Sequence, residues 1–348
     1  MNLEDLQTRI RTAADARTPL RLRGGGSKDF YGNAPRGEIL DTRGYAGIVS
    51  YDPTELVVTA RCGTSLVDIE KILQEKNQFL PFEPPHFGPG ATLGGCIAAG
   101  LSGPRRATAG AARDFVLGTK LIDGRGRVLQ FGGAVMKNVA GYDVSRLLAG
   151  SLGTLGLIAE ASLKVLPRPR SERTLRLEAG EAEALATMNR WAGQPLPVSA
   201  SAWYEGHLFV RLSGAEPAVQ AAAHRLGGET GSSALWAEMK EQTHPFFASA
   251  EPLWRVSLPS TAAPLQLPGR QLIEWGGALR WLKGDASTAA VREAAARAGG
   301  HATLFRAADK STGVFTPLDP VNARLHKALK VAFDPAGILN PGRLYADF

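Results

Sequence analysis

Three glycine-rich clusters are the parts of this sequence whose residue types best suit the binding of a charged ligand. They are Arg23-Gly24-Gly25-Gly26-Ser27-Lys28, Gly88-Pro89-Gly90-Ala91-Thr92-Leu93-Gly94-Gly95 and Gly150-Ser151-Leu152-Gly153-Thr154-Leu155-Gly156. Because glycine has no Cβ, the backbone N–H groups of such loops can approach a ligand closely, and that ligand is usually a phosphate. The Ser27 hydroxyl and the Lys28 ammonium would add a donor and a positive charge. Since strand-like segments separate the clusters, we predict that one long, phosphate-containing cofactor lies across the fold.

Two common nucleotide-binding motifs fit these clusters poorly. Gly88, Gly90 and Gly94 superficially resemble a dinucleotide fingerprint, but that motif must follow a buried strand. Pro84 and Pro85 come just before it and are incompatible with a central strand. The P-loop pattern Gly-x-x-x-x-Gly-Lys-Ser/Thr does not occur in the sequence. Each cluster alone is equally well explained as a plain tight turn, so the three together carry the prediction of a cofactor.

Histidine and cysteine provide few further candidates for chemistry. The six histidines are scattered without His-x-x-His spacing and the two cysteines do not form Cys-x-x-Cys, so no metal site is predicted. His301 and Arg306, at the ends of a predicted strand, are the remaining candidates for catalytic groups facing the cofactor. A hydrogen-bonded structural role is the alternative for His301. We expect Cys62 and Cys96 to be small, buried apolar side chains in a reducing compartment.

The elements that must position the residues of the glycine clusters are mainly strands. The predicted strands cover residues 20–23, 39–42, 56–60, 116–122, 128–131 and 157–165. Asp123-Gly124 is a hairpin signal between two of them, and the alternation of apolar and polar residues in the last one predicts a half-buried strand. A short amphipathic helix is predicted near the N-terminus, and another begins at a Ser65 cap. The run Pro167-Arg168-Pro169-Arg170 ends this part of the chain.

Beyond residue 170, strands and helices alternate and some strands form hairpins. The predicted strands are 174–177, 199–204, 208–212, 254–258, 278–282 and 301–306, and the predicted helices are 181–191, 216–226, 286–298 and 321–331. This order indicates an α+β layer of antiparallel sheet covered by helices. The segment 232–268 has no clear pattern. We therefore predict two domains, residues 1–168 and residues 169–348.

Composition narrows the class of protein. A chain of 348 residues is too long for one compact core of ordinary size. Its net charge of +7 comes from basic residues interspersed with acidic ones, with no run of five, which argues against nucleic-acid binding. No stretch approaches the length of a membrane span, and the N-terminal helix lacks the features of a signal peptide. We expect a cytoplasmic protein.

Five motifs resemble, in order and spacing, the PCMH-type FAD-binding family, that is, flavoproteins of the vanillyl-alcohol-oxidase type. They are residues 23–27, 91–95, 114–118 and 150–156, and the tail Phe333-Asp334-Pro335 with Ile338-Leu339-Asn340-Pro341-Gly342. The run Val135-Met136-Lys137-Asn138-Val139-Ala140-Gly141-Tyr142-Asp143 narrows the resemblance to the FAD-binding accessory subunits of bacterial glycolate oxidase (glycolate dehydrogenase). The resemblance covers almost the whole chain.

This resemblance implies a fold, a cofactor and a set of binding residues. The fold would be α+β, with a two-subdomain PCMH-type FAD-binding domain followed by a smaller, ferredoxin-like C-terminal domain. The FAD would be non-covalent, because the first loop lacks a histidine and Cys96 does not fall at the family's linking position. The cofactor-binding residues would be Arg23, Gly24, Gly25, Gly26, Ser27, Lys28, Gly90, Ala91, Thr92, Leu93, Gly94, Gly95, Ser102, Gly103, Gly110, Gly153, Gly156, Ile158 and Asn340. Asn340 would lie near the isoalloxazine ring.

The resemblance also implies partners. These are a larger FAD-binding catalytic subunit and an iron–sulfur subunit of the same complex, with a small 2-hydroxy acid such as glycolate as an indirect substrate. Membrane association would occur only through these partners, at the inner face of the cell membrane. Related catalytic dehydrogenases carry a histidine–glutamate metal cluster whose pattern we do not find here, so oxidation by this chain alone is not expected. A stand-alone FAD-dependent alcohol or hydroxyacid dehydrogenase and a non-catalytic scaffold are the alternatives.

A polar cluster formed by Lys137, Asn138, Tyr142 and Asp143 has two equally good interpretations. These residues could fix a loop by hydrogen bonds of the Asx type, or they could form the surface on which a sibling subunit docks.

Overall fold

The structure is a computed structural model that describes residues 1–133 and 143–348. It consists of two compact units. Unit 1 comprises Met1–Leu101, Ala111–Pro167 and Pro317–Phe348, and unit 2 comprises Ser102–Gly110 and Arg168–Thr316. The predicted domains, 1–168 and 169–348, follow the order of the chain, whereas the structure groups the C-terminal residues with unit 1. A local sequence pattern carries no signal for such a return, and the two-domain assignment stays a prediction.

Unit 1 is built around a mixed set of strands. Its main sheet has the order Ile48–Asp52, Val57–Arg61, Leu157–Lys164, Val116–Ile122 and Val128–Gly132, and all neighbours are antiparallel. Smaller sheets pair Leu20–Arg23 with Glu38–Asp41 in parallel and Gln78–Phe79 with Leu166–Pro167. The strand Leu157–Lys164 is central and buried on both faces. The prediction of a half-buried strand was therefore wrong, because Ile158 and Ser162, on the face predicted to be outward, are also buried.

The helices of unit 1 begin at residues whose side chains accept the first free amides. The described helices are Leu3–Ala16, Leu66–Glu75, Leu93–Ala99, Val144–Leu147 and Pro320–Phe333, with a 3-10 turn at Ala112–Phe115. Asn2 accepts from the amide of Asp5 at 2.8 Å and Ser65 from that of Val67 at 3.1 Å, as expected of helix caps. Leu6 and Ile10 are fully buried in one cluster with Leu40 and residues of the main sheet. This packing fixes the start of the chain beside strand Leu20–Arg23.

Unit 2 contains an eight-stranded antiparallel sheet covered by helices. The strands lie in the order Glu229–Thr230, Ser171–Glu178, His207–Gly214, Val198–Tyr204, Arg270–Glu274, Leu279–Lys283, Leu253–Ser257 and His301–Arg306. The described helices are Arg106–Ala109, Glu181–Ala192, Glu216–Leu226, Ala234–Glu241 and Thr288–Arg297, with 3-10 turns at Pro245–Phe247 and Trp275–Gly277. Two apolar clusters hold the helices, one with Leu185 and Met188 and one with Trp254 and Val291. The α+β layer was predicted correctly, but strand Arg270–Glu274 and helix Ala234–Glu241 were missed.

Within the described ranges, 1–133 and 143–348, no helix is both long enough and apolar enough to cross a membrane.

Candidate functional site

A cleft of about 850 Å³, counting space open to solvent, lies within unit 1. Residues of the first and third glycine clusters line it together with the end of the second cluster. The cleft thus joins residues that are more than 120 positions apart along the chain, such as Gly26 and Gly153. This is the arrangement expected for one long cofactor.

Most predicted cofactor-binding residues line this cleft. They are Arg23, Gly24, Gly25, Gly26, Ser27, Lys28, Thr92, Gly94, Gly95, Gly153, Gly156, Ile158 and Asn340. The residues that the structure does not bring to its lining are Gly90, Ala91, Leu93, Ser102, Gly103 and Gly110. Ala91 and Leu93 are buried in the interior of unit 1, and the last three belong to unit 2. Their assignment to the cofactor stays a prediction from the resemblance.

The first glycine cluster is closed by ion pairs at its base. Arg23, the last residue of its strand, donates from Nε to Asp29 Oδ2 at 2.7 Å, and the guanidinium of Arg21 donates to the same oxygen. Gly26 has a φ of +75°, and a Cβ there would collide with the Arg23 guanidinium. The loop therefore needs glycine at this position both for its backbone conformation and for the side chain that packs over it.

The first and second clusters pack directly against each other. A Cβ on Gly24 would collide with Thr92 Oγ1, and one on Gly25 with the carbonyl of Gly90. Thr92 also caps the helix Leu93–Ala99, where its hydroxyl accepts from the amide of Gly95. These glycines are thus required by loop packing as well as by any ligand, and no local pattern of the sequence indicates this packing.

The C-terminal tail joins the strand Leu20–Arg23 to the third cluster. Asn340, at a φ of +43°, accepts from the Leu22 amide at 2.7 Å and donates to the Leu152 carbonyl at 2.6 Å. A Cβ on Gly153, whose φ is +72°, would lie 2.7 Å from Asn340 Nδ2. Asn340 is therefore a residue that holds two walls of the cleft together, in addition to lining it.

A buried ion pair supports the same junction from behind. Lys330 Nζ donates to Asp334 Oδ2 at 2.6 Å and to the carbonyls of Thr154 and Leu339, each at 2.8 Å. Asp334 in turn accepts from the amides of Ile338 and Leu339. Burial lowers the pKa of Lys330, and the charge of Asp334 opposes that effect. Every hydrogen of the ammonium has an acceptor, as buried charges require.

Two cationic residues of the cleft were not foreseen. Arg21 lies two residues before Arg23 in the strand Leu20–Arg23, and Arg343 lies in the tail. Arg343 donates to the carbonyls of Asp29 at 2.9 Å and Lys28 at 3.3 Å, and also to that of Asn33. Burial lowers the pKa of Arg343 to about 10, against the opposing charge of Asp29. The Arg-x-Arg pattern at residues 21–23 could have indicated the first, but nothing local indicates the second.

The chemistry of the lining suits FAD. Its charged side chains are Arg21, Arg23, Lys28, Asp29 and Arg343, that is, four cations and one carboxylate. A net positive lining favours the anionic pyrophosphate of a dinucleotide. The apolar part of the lining, which could accept ring systems and the chain that joins them, is Leu22, Ala98, Ala99, Leu152, Leu157 and Ile158. The residues present therefore fit this cofactor in both charge and polarity.

The cysteines are poor nucleophiles in this environment. Both thiols are free and buried. Burial raises the pKa of Cys62, which lines the cleft, to about 12, and that of Cys96 to about 11. Gly94 lies against Cys62, since a Cβ on the glycine would be 2.8 Å from that of the cysteine. The expectation that both cysteines are buried side chains is confirmed.

The catalytic candidates His301 and Arg306 lie in unit 2, at the ends of an edge strand. His301 pairs with Ser257 in the sheet, and its pKa is lowered by burial and by the charge of Arg255. Arg306 donates from Nε to Gln242 at 3.0 Å. Neither lines the cleft of unit 1, and a catalytic role for them stays a prediction. Among the described residues no three His, Cys, Asp or Glu side chains gather as metal ligands.

The predicted polar cluster is only partly within the described structure. Lys137, Asn138 and Tyr142 lie outside the described residues. Asp143 caps the helix Val144–Leu147, where its side chain accepts from the amide of Arg146 at 3.1 Å. For Asp143, a structural role in the loop is thus visible.

Comparison with known protein families supports the cofactor. Residues 1–132 match the model of the FAD binding domain, and residues 308–344 match that of the C-terminal domain of FAD linked oxidases. The second match ends in the tail that carries Asn340 and Arg343. The predicted cofactor, FAD, and the predicted α+β fold class are confirmed by these matches.

Three individual proteins show how much of the chain its relatives cover. The glycolate oxidase subunit GlcE of Escherichia coli (strain K12) is 51% identical over 342 residues, which are 98% of this chain and 97% of that protein. The glycolate oxidase subunit GlcD of Bacillus subtilis (strain 168) is 31% identical over 50% of this chain and 37% of that protein. A D-lactate dehydrogenase of Archaeoglobus fulgidus is 31% identical over 51% of this chain and 40% of that protein.

Among solved structures, an alkyldihydroxyacetonephosphate synthase superposes with a TM-score of 0.69 over 97% of this chain and 75% of that chain, at 15% identity. At that level of identity the likeness shows a shared fold alone.

Proposed function

The chain belongs to the family of the glycolate oxidase subunit GlcE, and on that premise we propose that it is the FAD-binding subunit of a glycolate (2-hydroxy acid) oxidase complex. Its role as an oxidoreductase subunit follows from the family. The finer proposal is that it supports electron transfer from the hydroxy acid toward an iron–sulfur subunit. The observation that carries the proposal is the positively charged cleft of unit 1, which three distant glycine clusters and the tail build together.

When bound, FAD supplies the reversible uptake of two electrons. The residues of this chain would hold and orient it. The first cluster and the guanidinium groups of Arg21 and Arg343 would face the pyrophosphate, because they form the cationic part of the lining. Gly153, Gly156 and Ile158 would lie along the ribityl and adenine portions, as the resemblance implies. Asn340 would keep these two walls at a fixed separation through its bonds to Leu22 and Leu152.

We further propose that the FAD is dissociable. Among the residues that line the cleft, Cys62 is the best candidate for a covalent bond to the flavin. Burial keeps its thiol protonated by raising its pKa to about 12. Only the thiolate form of cysteine is an effective nucleophile. The cofactor would therefore depend on the loops and cations for its affinity.

The proposed partners are a larger FAD-binding catalytic subunit and an iron–sulfur subunit. Support comes from the name of the GlcE relative, which is that of a subunit. The GlcD relative matches this chain over only 37% of its own length, so it carries a large region that has no counterpart in the match. Association with the inner face of the membrane would be through such partners.

Reconstitution tests the proposal in two steps. The purified chain is first titrated with FAD, and one FAD per chain is expected. It is then mixed with the larger flavin subunit and the iron–sulfur subunit, and glycolate-dependent reduction of an artificial electron acceptor is measured. Activity that requires this chain and its bound FAD supports the proposal. Activity of the other two subunits that does not change when this chain is left out would contradict it.

A stand-alone dehydrogenase would give a different result, because glycolate would then be oxidised by the isolated, FAD-loaded chain. A non-catalytic scaffold would bind no FAD in the first step.

A further inference from the structure

The C-terminal helix, Pro320–Phe333, exposes apolar side chains and buries a charged one. Val321, Leu325 and Val331 are exposed to 56%, 53% and 63%. They are more exposed than any other large hydrophobic side chain among the described residues. Lys330 is the one buried side chain of this helix, all of which lies within the described residues. Phe333 packs edge-on against Phe131, but Val321 and Leu325 remain outside, unlike the apolar side of a helix packed on its own core.

Four of the exposed apolar residues form a narrow stripe, from which Val331 is rotated by about 90°. Val321, Leu325, Ala328 and Ala332 follow one another at intervals of four, three and four residues. At about 100° per residue these positions point in nearly the same direction, and Lys330 points the opposite way. Lys330 is fixed inside by its bonds to Asp334, Thr154 and Leu339. The stripe is consequently held outward by the same contacts that hold the cleft.

The spacing and the side chains of the stripe fit a second helix. Intervals of four and three residues are those of the a and d positions of a coiled coil, whose stripe is narrower than that of a globular helix. Ala328 and Ala332 are small enough to let another helix approach closely. Membrane-surface helices instead use a broad apolar face with Trp, Phe and Leu. The stripe lacks aromatic residues, and a helix of a protein is the better match.

The charges beside the stripe define the partner helix further. Arg324 precedes Leu325 at a position that flanks such an interface, and Lys327 lies further around the same side. Both are exposed, and Lys327 forms an ion pair with Asp347 at 2.6 Å. The sequence of the helix contains no acidic residue. A partner helix with acidic residues beside its apolar stripe would complement it, and the net charge of +7 acts in the same direction.

We propose that the stripe Val321, Leu325, Ala328 and Ala332 docks an amphipathic helix with acidic flanks, contributed by another subunit of the oxidase complex. This inference rests on the proposed function, which supplies the other subunits. It places the docking surface on the outer face of the helix whose inner face carries Lys330. The partner subunit would then contact the same helix whose Lys330 holds the third glycine cluster and the C-terminal tail together.

The test compares two substitutions of exposed apolar residues on helices of unit 1. Leu325→Glu lies in the stripe, and the matched control Val67→Glu lies on helix Leu66–Glu75, where Val67 is 49% exposed. The affinity of each FAD-loaded chain for the purified larger flavin subunit with its iron–sulfur subunit is measured by biolayer interferometry. Loss of an anchor of this kind weakens binding by about tenfold or more. We expect that loss for Leu325→Glu, and a change within about twofold for Val67→Glu.

A charge reversal provides an independent arm. Arg324→Glu should slow association with the same subunits, and the difference from the unmodified chain should shrink at high ionic strength. Unchanged FAD content and circular dichroism confirm that each variant is folded, which is expected because the substituted side chains are exposed.

The alternative results separate this inference from the proposed function. If the unmodified chain binds the other subunits and Leu325→Glu binds equally well, the docking surface is wrong and the proposed function stands. If the unmodified chain does not bind them at all, both are overturned. If Leu325→Glu abolishes the flotation of the chain with phosphatidylglycerol vesicles, the stripe binds a membrane and not a partner helix. If it converts a dimer into a monomer in sedimentation, the stripe binds a second copy of this chain.

Discussion

The buried ion pair between Lys330 and Asp334 offers a quantitative test of how the tail holds the cleft. In Lys330→Met, Asp334 keeps its hydrogen bonds from the amides of Ile338 and Leu339 at 3.2 and 2.7 Å but loses the only cation that contacts it among the described residues. The carbonyls of Thr154 and Leu339 lose their shared donor. The side chain of Asp334 is 0% exposed, so water does not replace the lysine.

The magnitude follows from this burial. Removal of one partner from a buried ion pair costs about 3–5 kcal/mol, because the other charge remains uncompensated. The two amides that still contact Asp334 favour the lower half of that range, since hydrogen bonds to a charged group each contribute about 1.5–3 kcal/mol. We expect Lys330→Met to lower the free energy of unfolding by about 3 kcal/mol. The added substitution Asp334→Asn removes the charge, so the double variant should be no less stable than Lys330→Met alone.

The assay is urea unfolding of the FAD-free chain, because bound FAD would stabilise the folded state and mask part of the loss. Lys327→Met is the matched control on the same helix. Lys327 pairs with Asp347 at the same Nζ–Oδ2 distance of 2.6 Å, but the two side chains are 54% and 61% exposed. Exposed pairs contribute little, so the control should change stability by less than about 1 kcal/mol. Equal losses in the two variants would refute the reasoning, because burial would then not set the cost.

Three further predictions concern the cleft and its sheet. Ser27→Asp should weaken FAD binding in a fluorescence titration more than its isosteric control Ser27→Asn, since only the aspartate adds negative charge beside the pyrophosphate; equal affinities would contradict an anion site at this loop. Acid precipitation of the FAD-loaded chain should leave the yellow flavin in the supernatant, whereas flavin in the pellet would show a covalent bond. Burial raises the pKa of Glu160, but hydrogen bonds from Lys120 and Tyr45 outweigh it and hold the pKa below its usual value. The stabilisation of the folded state by these contacts of Glu160 is present above about pH 4.3 and is lost as the pH falls through the lowered pKa. Glu160→Gln should therefore flatten the acid side of the stability profile measured by urea unfolding, and an unchanged profile would exclude this carboxylate as its source.

The sequence carries enough information for the local elements of the fold. Helix Leu66–Glu75 could be predicted because Ser65 is a capping residue and the buried side chains of the helix recur at helical spacing. The hairpin of Val116–Ile122 and Val128–Gly132 follows from Asp123-Gly124 between two apolar runs. Strand Arg270–Glu274 escaped prediction because its residues do not alternate in polarity, although three of them are buried together.

The candidate site could be predicted only where its residues form a local pattern. The glycine clusters are such a pattern, and most of their predicted residues line the cleft. Arg343 does not belong to such a pattern, because the carbonyls to which it donates lie more than 300 positions away along the chain. Lys330 is only four residues from Asp334, but it is 176 positions from the Thr154 carbonyl to which it also donates. The packing of Gly24 on Thr92 is likewise a contact between distant loops, and only the structure reveals it.

The central claim is that this chain binds FAD but relies on other subunits for the oxidation of the hydroxy acid. The most direct test is the visible absorption spectrum of the FAD-loaded chain, recorded without oxygen before and after the addition of glycolate. We predict that the flavin bands of the chain alone remain those of the oxidised form, and that they bleach once the larger flavin subunit is present. Bleaching by glycolate with the chain alone would contradict the account, since the active site would then be complete within this chain.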